Sequence, residues 1–591
     1  MLIDPSEPFI LLDDARTSGA GPALLYRGLV DRIEVVDPDE VAQGLARLRA
    51  AAEQGLHAAG FLSYEAGHAL EPRLAPFRET AGEGEPPLLW FGLFDRVEQI
   101  APRDVNALLP DPASAWNGPP RPLIDRDAYL AGVARVKEHI FAGDIYQANL
   151  TFAADLSFAG SPLALYARIR PRARAGHGGI VFTGAHWILS FSPELFFTAA
   201  DGRLTTRPMK GTAIRRADPE ADLAEKRMLR DDPKQRAENL MIVDLLRNDL
   251  SRVSRPGSVE VPSLFEVETY PTVHQMTSTI TAHLEEGLGP VDAIAALFPC
   301  GSITGAPKIR ATEIIATLER RRRGIYTGAI GRVAPGGDAS FNVAIRTLTI
   351  KAGEHTARLG LGSGIVADSR PADEWRECLA KGAFLEERTG FDLIETMRFD
   401  PRDGICALDR HLARMKASAD ALGFRFDRHD ARNELQAATF RLREDKLLRL
   451  LLSPSGAVSI EARPLPAHSS EPVRVAIMPL PVDNDDFRLR HKTTDRAFYD
   501  EARSRSGAFE VLFRDAGGFL TEGSFTHIFV EQADGRLLTP PLSRGLLPGI
   551  LRDQLIEAGE ALEADLTDLP DRFFIGNSTR GLIRATLRPG G

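Results

Sequence analysis

Lys210 lies in "RPMKGT", between a methionine and a Gly-Thr turn just after the short strand predicted from "DGRLTT", where an amine could be either a surface charge or a reacting group. A second isolated lysine, Lys492, sits in "LRHKTTDRAFYDEA". Acidic residues are spaced for cation binding. "AENLMIVDLLRNDL" predicts a helix in which Leu240, Val243, Leu246 and Leu250 form a core stripe, leaving Glu238 near the N-terminal end free to bind a cation. "DEWRECLAKGAF" puts Glu374, Glu377 and Lys381 on one helical face, whose plainer account is an exposed ion-pair ladder. "CGSITGAPKIRA" is a Gly-rich turn leading into a helix, the geometry that points backbone N–H groups at an anion, and "LGLGSGIVADS" is a second Gly-rich turn after a strand. In "FNVAIRTL", Arg346 interrupts an apolar strand, where a guanidinium is costly unless a carboxylate pairs with it. These parts supply what a small polycarboxylate needs: backbone amides, an Arg, a Lys, and two Glu able to hold a hard divalent cation such as Mg²⁺.

The elements that must position these groups follow from periodicity. Residues 1 to about 115 mix short apolar strands with a helical stretch, "VAQGLARLRAAAEQGLHAAGF", and end in a Pro-rich joint, "LPDPASAWNGPPRP". From Asp125 helices alternate with strands until "DEWRECLAKGAFLEE", and after "LEERTG" the pattern restarts with the strand "FDLIETMRFD" and an amphipathic helix presenting Leu412, Met415 and Leu422. A boundary is expected near residues 386–389, dividing a domain 1–387 (subregion 1–118, core 119–387) from a domain 388–591. The 591 residues are 43% hydrophobic and 26% charged, an ordinary globular composition. Seventy-two Lys and Arg against 82 Asp and Glu give a net charge of −10, which disfavours nucleic acid or an anionic membrane as a partner. Three widely spaced cysteines, an N-terminus without a signal-like run and no long apolar stretch point to a cytoplasmic protein.

Over residues 120 to 385 the motifs "GDIYQANLT", "SFSPELFF", "ENLMIVDLLRNDL", "PCGSITGAPK", "YTGAIG", "FNVAIRTL" and "GSGIVADSRPADEW" run in the order found in the chorismate-utilising enzymes, which this stretch resembles. The resemblance implies a large α/β (α+β) fold with sheets around a central cleft, and Mg²⁺ held by Glu238 and Glu377, with Glu374 on the same face. It implies that Arg346, Tyr326, Lys381 and the Gly362 to Gly364 turn hold the carboxylates of chorismate, with Thr304 and Gly305 nearby, and that His274 lies near the departing C4 hydroxyl. Lys210 stands where anthranilate-type members carry a small residue, as in members resembling aminodeoxychorismate synthase, whose lysine adds to C2 of chorismate before ammonia enters at C4. None of the cysteines sits on a glutaminase-like elbow, so ammonia is expected from a separate glutamine amidotransferase subunit, or as free ammonia at high concentration.

The segment 390 to 591 resembles the fold-type IV pyridoxal-phosphate enzymes, a group holding branched-chain and D-amino-acid aminotransferases and aminodeoxychorismate lyase. This implies Lys492 as the cofactor-linking lysine, Glu522 of "TEGSFTHIF" as partner of the pyridine nitrogen, and Arg414 of "HLARM" on the phosphate. The amides of Ile550 and Leu551, after Gly549, and the Asn577-Ser578 turn complete the cup. The usual opening strand and turn before "FDLIETM" are absent or shortened, and His527 stands where asparagine is frequent. A homodimer through this domain is a family expectation. The two resemblances together imply conversion of chorismate to 4-aminobenzoate. The alternatives are an anthranilate-synthase-like half joined to an independent aminotransferase, and a non-catalytic scaffold that recruits a glutaminase.

Overall fold

The computed structural model describes residues 2–216, 218–269, 273–385, 390–466 and 472–588, in a mixed α/β architecture. The expected boundary at 386–389 lies outside the described residues. Contacts divide the chain into one compact unit of Met1–Pro110, Pro120–Leu156 and Tyr166–Leu385 and a second of Asp111–Pro119, Ser157–Leu165 and Glu386–Gly591. Much of the Pro-rich segment thus clusters with the second unit.

The first unit is built on two antiparallel sheets. In one, the strands Gln147–Ala159, Thr356–Ile365, Thr347–Lys351, His186–Ser192, His177–Phe182 and Phe9–Asp13 are successive neighbours. In the other, Met209–Ile214, Val273–His283, Arg203–Thr206, Leu195–Ala200, Ala339–Val343, Ala329–Val333 and His57–Leu62 follow one another. Ile10, Val181 and Ile188 of the first sheet pack on Phe61, Trp90 and Ile330 of the second, so apolar side chains lie between the sheets. The helix Pro233–Ser251 covers the second sheet and starts where the sequence marks it: Asp232 accepts from the N–H groups of Lys234 and Gln235, and Pro233 occupies the first turn.

Four local readings are corrected. The buried stripe of Pro233–Ser251 is Ile242, Val243, Leu246 and Leu250, whereas Leu240 is 44% exposed, because it falls one step off the face that meets the sheet. The stretch 41–61 is helical only over Val41–Glu53, then turns into the strand His57–Leu62. "LGLGSG" is the interior of the strand Thr356–Ile365, not a turn; there a Cβ at Gly360 would overlap the Tyr326 ring, and one at Gly362 would lie 2.6 Å from Thr151 Cγ2. Arg346 lies between the strands Ala339–Val343 and Thr347–Lys351 with φ 49°, so it ends one strand rather than interrupting it.

The second unit holds a four-stranded antiparallel sheet, Gly404–Ile405, Leu393–Asp400, Lys446–Leu452 and Val458–Pro464, and an eight-stranded mixed sheet. Leu412, Met415 and Leu422 are buried together with Met397 and Leu448, as the helical spacing predicts. In the mixed sheet Val473–Pro479 pairs in parallel with both Glu510–Arg514 and Gly581–Leu587. No described helix is long and apolar enough to cross a membrane.

Candidate active sites

Lys210 is aimed by an irregularity in its strand. Pairing of Met209–Ile214 with Val273–His283 slips between Met209 and Thr212, and Gly211, at φ 86°, takes the conformation that such a bulge needs. Lys210 is half-buried. Burial lowers its pKa, as does the charge of Lys381, against the opposing pull of Glu194, Glu238 and Glu377. A Cβ at Gly364 would lie 3.5 Å from Lys210 Nζ and 3.1 Å from Gln147 Nε2, so glycine leaves open the space where amine and amide converge.

Carboxylates gather round this amine. Burial raises the pKa of Glu238, and the negative charges of Asp368 and Glu377 add to the rise. Burial alone would raise Glu377 too, but Lys381, 2.8 Å away, brings it below the usual range. Lys381 also donates to the carbonyl of Gly362, 2.9 Å. Glu374 is partly buried on the same helix, and its charge is felt at Lys234. Among the described residues no three His, Cys, Asp or Glu side chains group to hold a metal. Two mutually repelling carboxylates nevertheless suit Mg²⁺, which commonly takes one or two protein carboxylates and completes its shell with substrate and water.

Thr304 is buried with its hydroxyl donating to the Cys300 carbonyl, and Gly305 pairs with Ala148 so closely that a side chain there would strike the Gln147 carbonyl. Tyr326 is buried, and its pKa rises through burial. Arg346 has no ion pair among the described residues, and burial lowers its pKa. His274 is held on both sides of its ring. It is 1% exposed, and its ring nitrogens lie 3.1 Å from Asp222 and 3.1 Å from Thr269, which occupies both. The bond to Asp222 ties its strand, Val273–His283, to the helix Pro219–Asp231.

Two residues here escaped the sequence reading. Glu194 is buried, accepts from Ser302 Oγ at 2.6 Å, and has its pKa raised by burial beside Lys210. Gln147 is 1% exposed, and both its amide atoms are buried without a hydrogen-bond partner, which is costly unless a ligand satisfies them. A buried charge in the apolar run "SFSPELFF" was the available signal for Glu194.

In the second unit, Arg414, Lys492, Glu522, the Ile550–Leu551 pair and the Asn577–Ser578 pair all line one cavity of about 410 Å³. Lys492 Nζ donates to Thr396 Oγ1, 2.9 Å, and burial, with help from Arg414, Arg496 and Arg449, lowers its pKa to about 7. Glu522 is raised to about 7 by burial, although Tyr499 Oη donates to it at 2.6 Å and the Leu547 N–H at 3.2 Å. Arg414 is clamped by two bonds to Glu395, which also meets His411 Nδ1 at 2.6 Å. The helix Ile550–Glu557 opens after Gly549, where a Cβ would run into the ring of His527. An amine with a lowered pKa, a carboxyl able to hold or share a proton, a fixed guanidinium and a helix N-terminus fit pyridoxal phosphate.

Residues 7–387 match the chorismate binding enzyme family, and residues 392–587 match amino-transferase class IV, a family that implies pyridoxal phosphate. The chain is 42% identical over 268 residues to aminodeoxychorismate synthase component 1 of Klebsiella aerogenes, covering 45% of this chain and 58% of that protein. It is 43% identical over 252 residues to anthranilate synthase component 1 of Streptomyces coelicolor, covering 42% and 48%. It thus spans about half the length of these curated relatives. The crystal structure of anthranilate synthase component I from Streptococcus pneumoniae is similar, with a TM-score of 0.53, 25% identity, and coverage of 63% of this chain and 93% of that one. With a match across well over half its length, the chain belongs to the chorismate binding enzyme family.

Proposed function

We propose that the chain is a bifunctional enzyme of folate biosynthesis, with the division at residues 387 and 388. Its first part converts chorismate and ammonia to 4-amino-4-deoxychorismate, and its second removes pyruvate from that product to give 4-aminobenzoate. Relatives of the aminodeoxychorismate and anthranilate kinds match at nearly equal identity, 42% and 43%, so similarity does not choose between them. The observation that carries the choice is Lys210: an amine held on a bulge, with its neutral form favoured, among Glu194, Glu238 and Glu377.

In this reading Arg346, Lys381 and Tyr326, with the backbone around Thr304–Gly305 and Gly362–Gly364, hold the carboxylates of chorismate. Lys210 Nζ bonds to C2, the two ring double bonds shift, and the C4–O bond breaks. Glu194 is the acceptor for the proton that Nζ gives up and passes it on to the departing hydroxyl, which leaves as water. Ammonia then bonds at C4, the double bonds return, and the C2–Nζ bond breaks to restore the lysine. Glu238 and Glu377 would hold Mg²⁺, which supplies positive charge for a substrate carboxylate and the departing oxygen. Ammonia comes from a partner glutamine amidotransferase: Cys300 and Cys378 are buried, and burial raises both thiols, Cys300 to about 12, the reverse of an activated nucleophile.

In the second part, Arg414, the amides of Ile550 and Leu551 and the Asn577–Ser578 turn would hold the phosphate of pyridoxal phosphate, and Glu522 the proton at its ring nitrogen. The cofactor supplies an electron sink that acidifies the C4 proton of the substrate. Lys492 takes that proton, and loss of pyruvate leaves an aromatic ring. The unpaired cysteines accord with a cytoplasmic setting.

The test is to incubate the purified chain with chorismate, Mg²⁺, pyridoxal phosphate and an ammonium salt, and to separate the products. Equal amounts of 4-aminobenzoate and pyruvate support the reading. Anthranilate would overturn the first half, and aminodeoxychorismate that accumulates uncleaved would overturn the second.

A further inference from the structure

Arg449 stands apart from the other cations of the second cavity. It lies on the strand Lys446–Leu452, paired in register with Thr396 of Leu393–Asp400, and Thr396 is the residue that accepts from Lys492 Nζ. Strand pairing rather than a loop therefore carries this guanidinium to the reacting lysine, and Arg449 lines the same cavity.

The neighbouring cations are already engaged. Arg414 holds Glu395, Arg488 holds Asp486 at 2.7 Å, and Arg463 holds Glu461 at 2.7 Å. Arg496 donates to the Ser524 carbonyl, and Arg580 lies over the rings of Phe509 and Phe525. Glu461 faces Arg449 across the register, yet it pairs with Arg463. Among the described residues Arg449 has no ion pair, and its Nε is buried without a hydrogen-bond partner. A partly buried guanidinium whose Nε–H is buried without an acceptor, in the cavity that holds the reacting amine, is a poor structural element and a good receptor for a carboxylate, whose two oxygens match its fork.

We propose that Arg449 binds a carboxylate of the second unit's substrate remote from the reacting amine, and so makes this unit select a dicarboxylate amine over an amino acid with an apolar side chain. The inference rests on the reading of the second unit given above, because both carboxylates of aminodeoxychorismate lie away from its C4 amine. Arg449 is thus a specificity residue; the cofactor's phosphate belongs to Arg414.

The experiment uses the full chain loaded with pyridoxal phosphate, as wild type, Arg449→Gln and Arg449→Lys. Isophthalate, a dicarboxylate without an amine, is titrated while the visible absorption of the bound cofactor is followed, which reports on the second site alone. Arg449→Gln is expected to weaken isophthalate roughly 10- to 100-fold, with a similar rise in KM for aminodeoxychorismate. Arg449→Lys, which keeps the charge without the fork, should recover part of the affinity and decides the matter if the glutamine variant fails to hold cofactor. Isophthalate affinity equal in all three proteins, or no response in the wild type, overturns the proposal. Weakened isophthalate binding in a chain that never releases pyruvate would keep Arg449 as the carboxylate receptor and remove the lyase reading instead.

Discussion

The two units each lower the pKa of a lysine amine, by different electrostatics. At Lys492 burial is reinforced by Arg414, Arg496 and Arg449, with Glu395 opposing, and the pKa settles at about 7. At Lys210 burial is reinforced by Lys381 alone, while three carboxylates pull the other way. The second site therefore carries its own cationic surround, whereas the first has surplus negative charge that a divalent cation would offset. Metal dependence should belong to the first unit and not to the second.

Removing each lysine separates the halves most sharply. Lys210→Ala should stop formation of aminodeoxychorismate while leaving cleavage of added aminodeoxychorismate intact, and Lys492→Ala should do the opposite. Each loss should be roughly 10²- to 10⁴-fold or more, measured by chromatography of both products. If Lys210→Ala slows only cleavage, the comparison is reversed.

Neutralising the first site's surplus charge comes next. Glu238→Gln or Glu377→Gln should raise the Mg²⁺ concentration for half-maximal synthesis by roughly 10- to 100-fold, with pyruvate release from added aminodeoxychorismate unaffected. An equal effect on both reactions would break the distinction.

Smaller is the pH response at Lys492. Its folded pKa, about 7, lies below the unfolded value, so between these pH values the unfolded chain binds more protons and stability rises with pH. As pH falls through that window the contribution is lost, and below about 7 it is gone. Capture of pyridoxal phosphate by the cofactor-free chain should accordingly rise about tenfold per pH unit below 7 and level off above it, as followed by absorbance. A flat profile from pH 5 to 9 would contradict the assigned environment.

The smallest change expected is in stability, at the bulge. In Gly211→Ala the new Cβ would meet Gln235 Oε1 at 2.9 Å at a backbone φ of 86°, costing about 1–3 kcal/mol. Thermal unfolding should report that loss, and synthesis should fall with it because Lys210 is re-aimed, whereas cleavage should not.

Residues in isolated chemical settings were legible in the sequence. Lys492, Glu522 and Arg414 line one cavity, and the charges of Glu238 and Glu377 are felt at Lys210. What local spacing could not show is pairing across the fold. Asp222 lies 52 residues from His274 yet occupies one of its nitrogens. Arg346 was read as strand because its flanks are apolar, although a left-handed residue ends the strand there. Leu240 fits a helical repeat as well as Ile242 does, and only the sheet beneath the helix selects between them. Gln147 carries no charge to draw attention, and its two unsatisfied amide atoms become visible only once the strand Gln147–Ala159 is folded.

The most direct test of the central claim is mass spectrometry of the chain mixed with chorismate and Mg²⁺ without ammonia, followed by peptide mapping. The account predicts an adduct of chorismate less one water on Lys210, lost on adding an ammonium salt and absent from Lys210→Ala. A wild-type chain that makes aminodeoxychorismate when ammonium is supplied but never carries mass on Lys210 would contradict it.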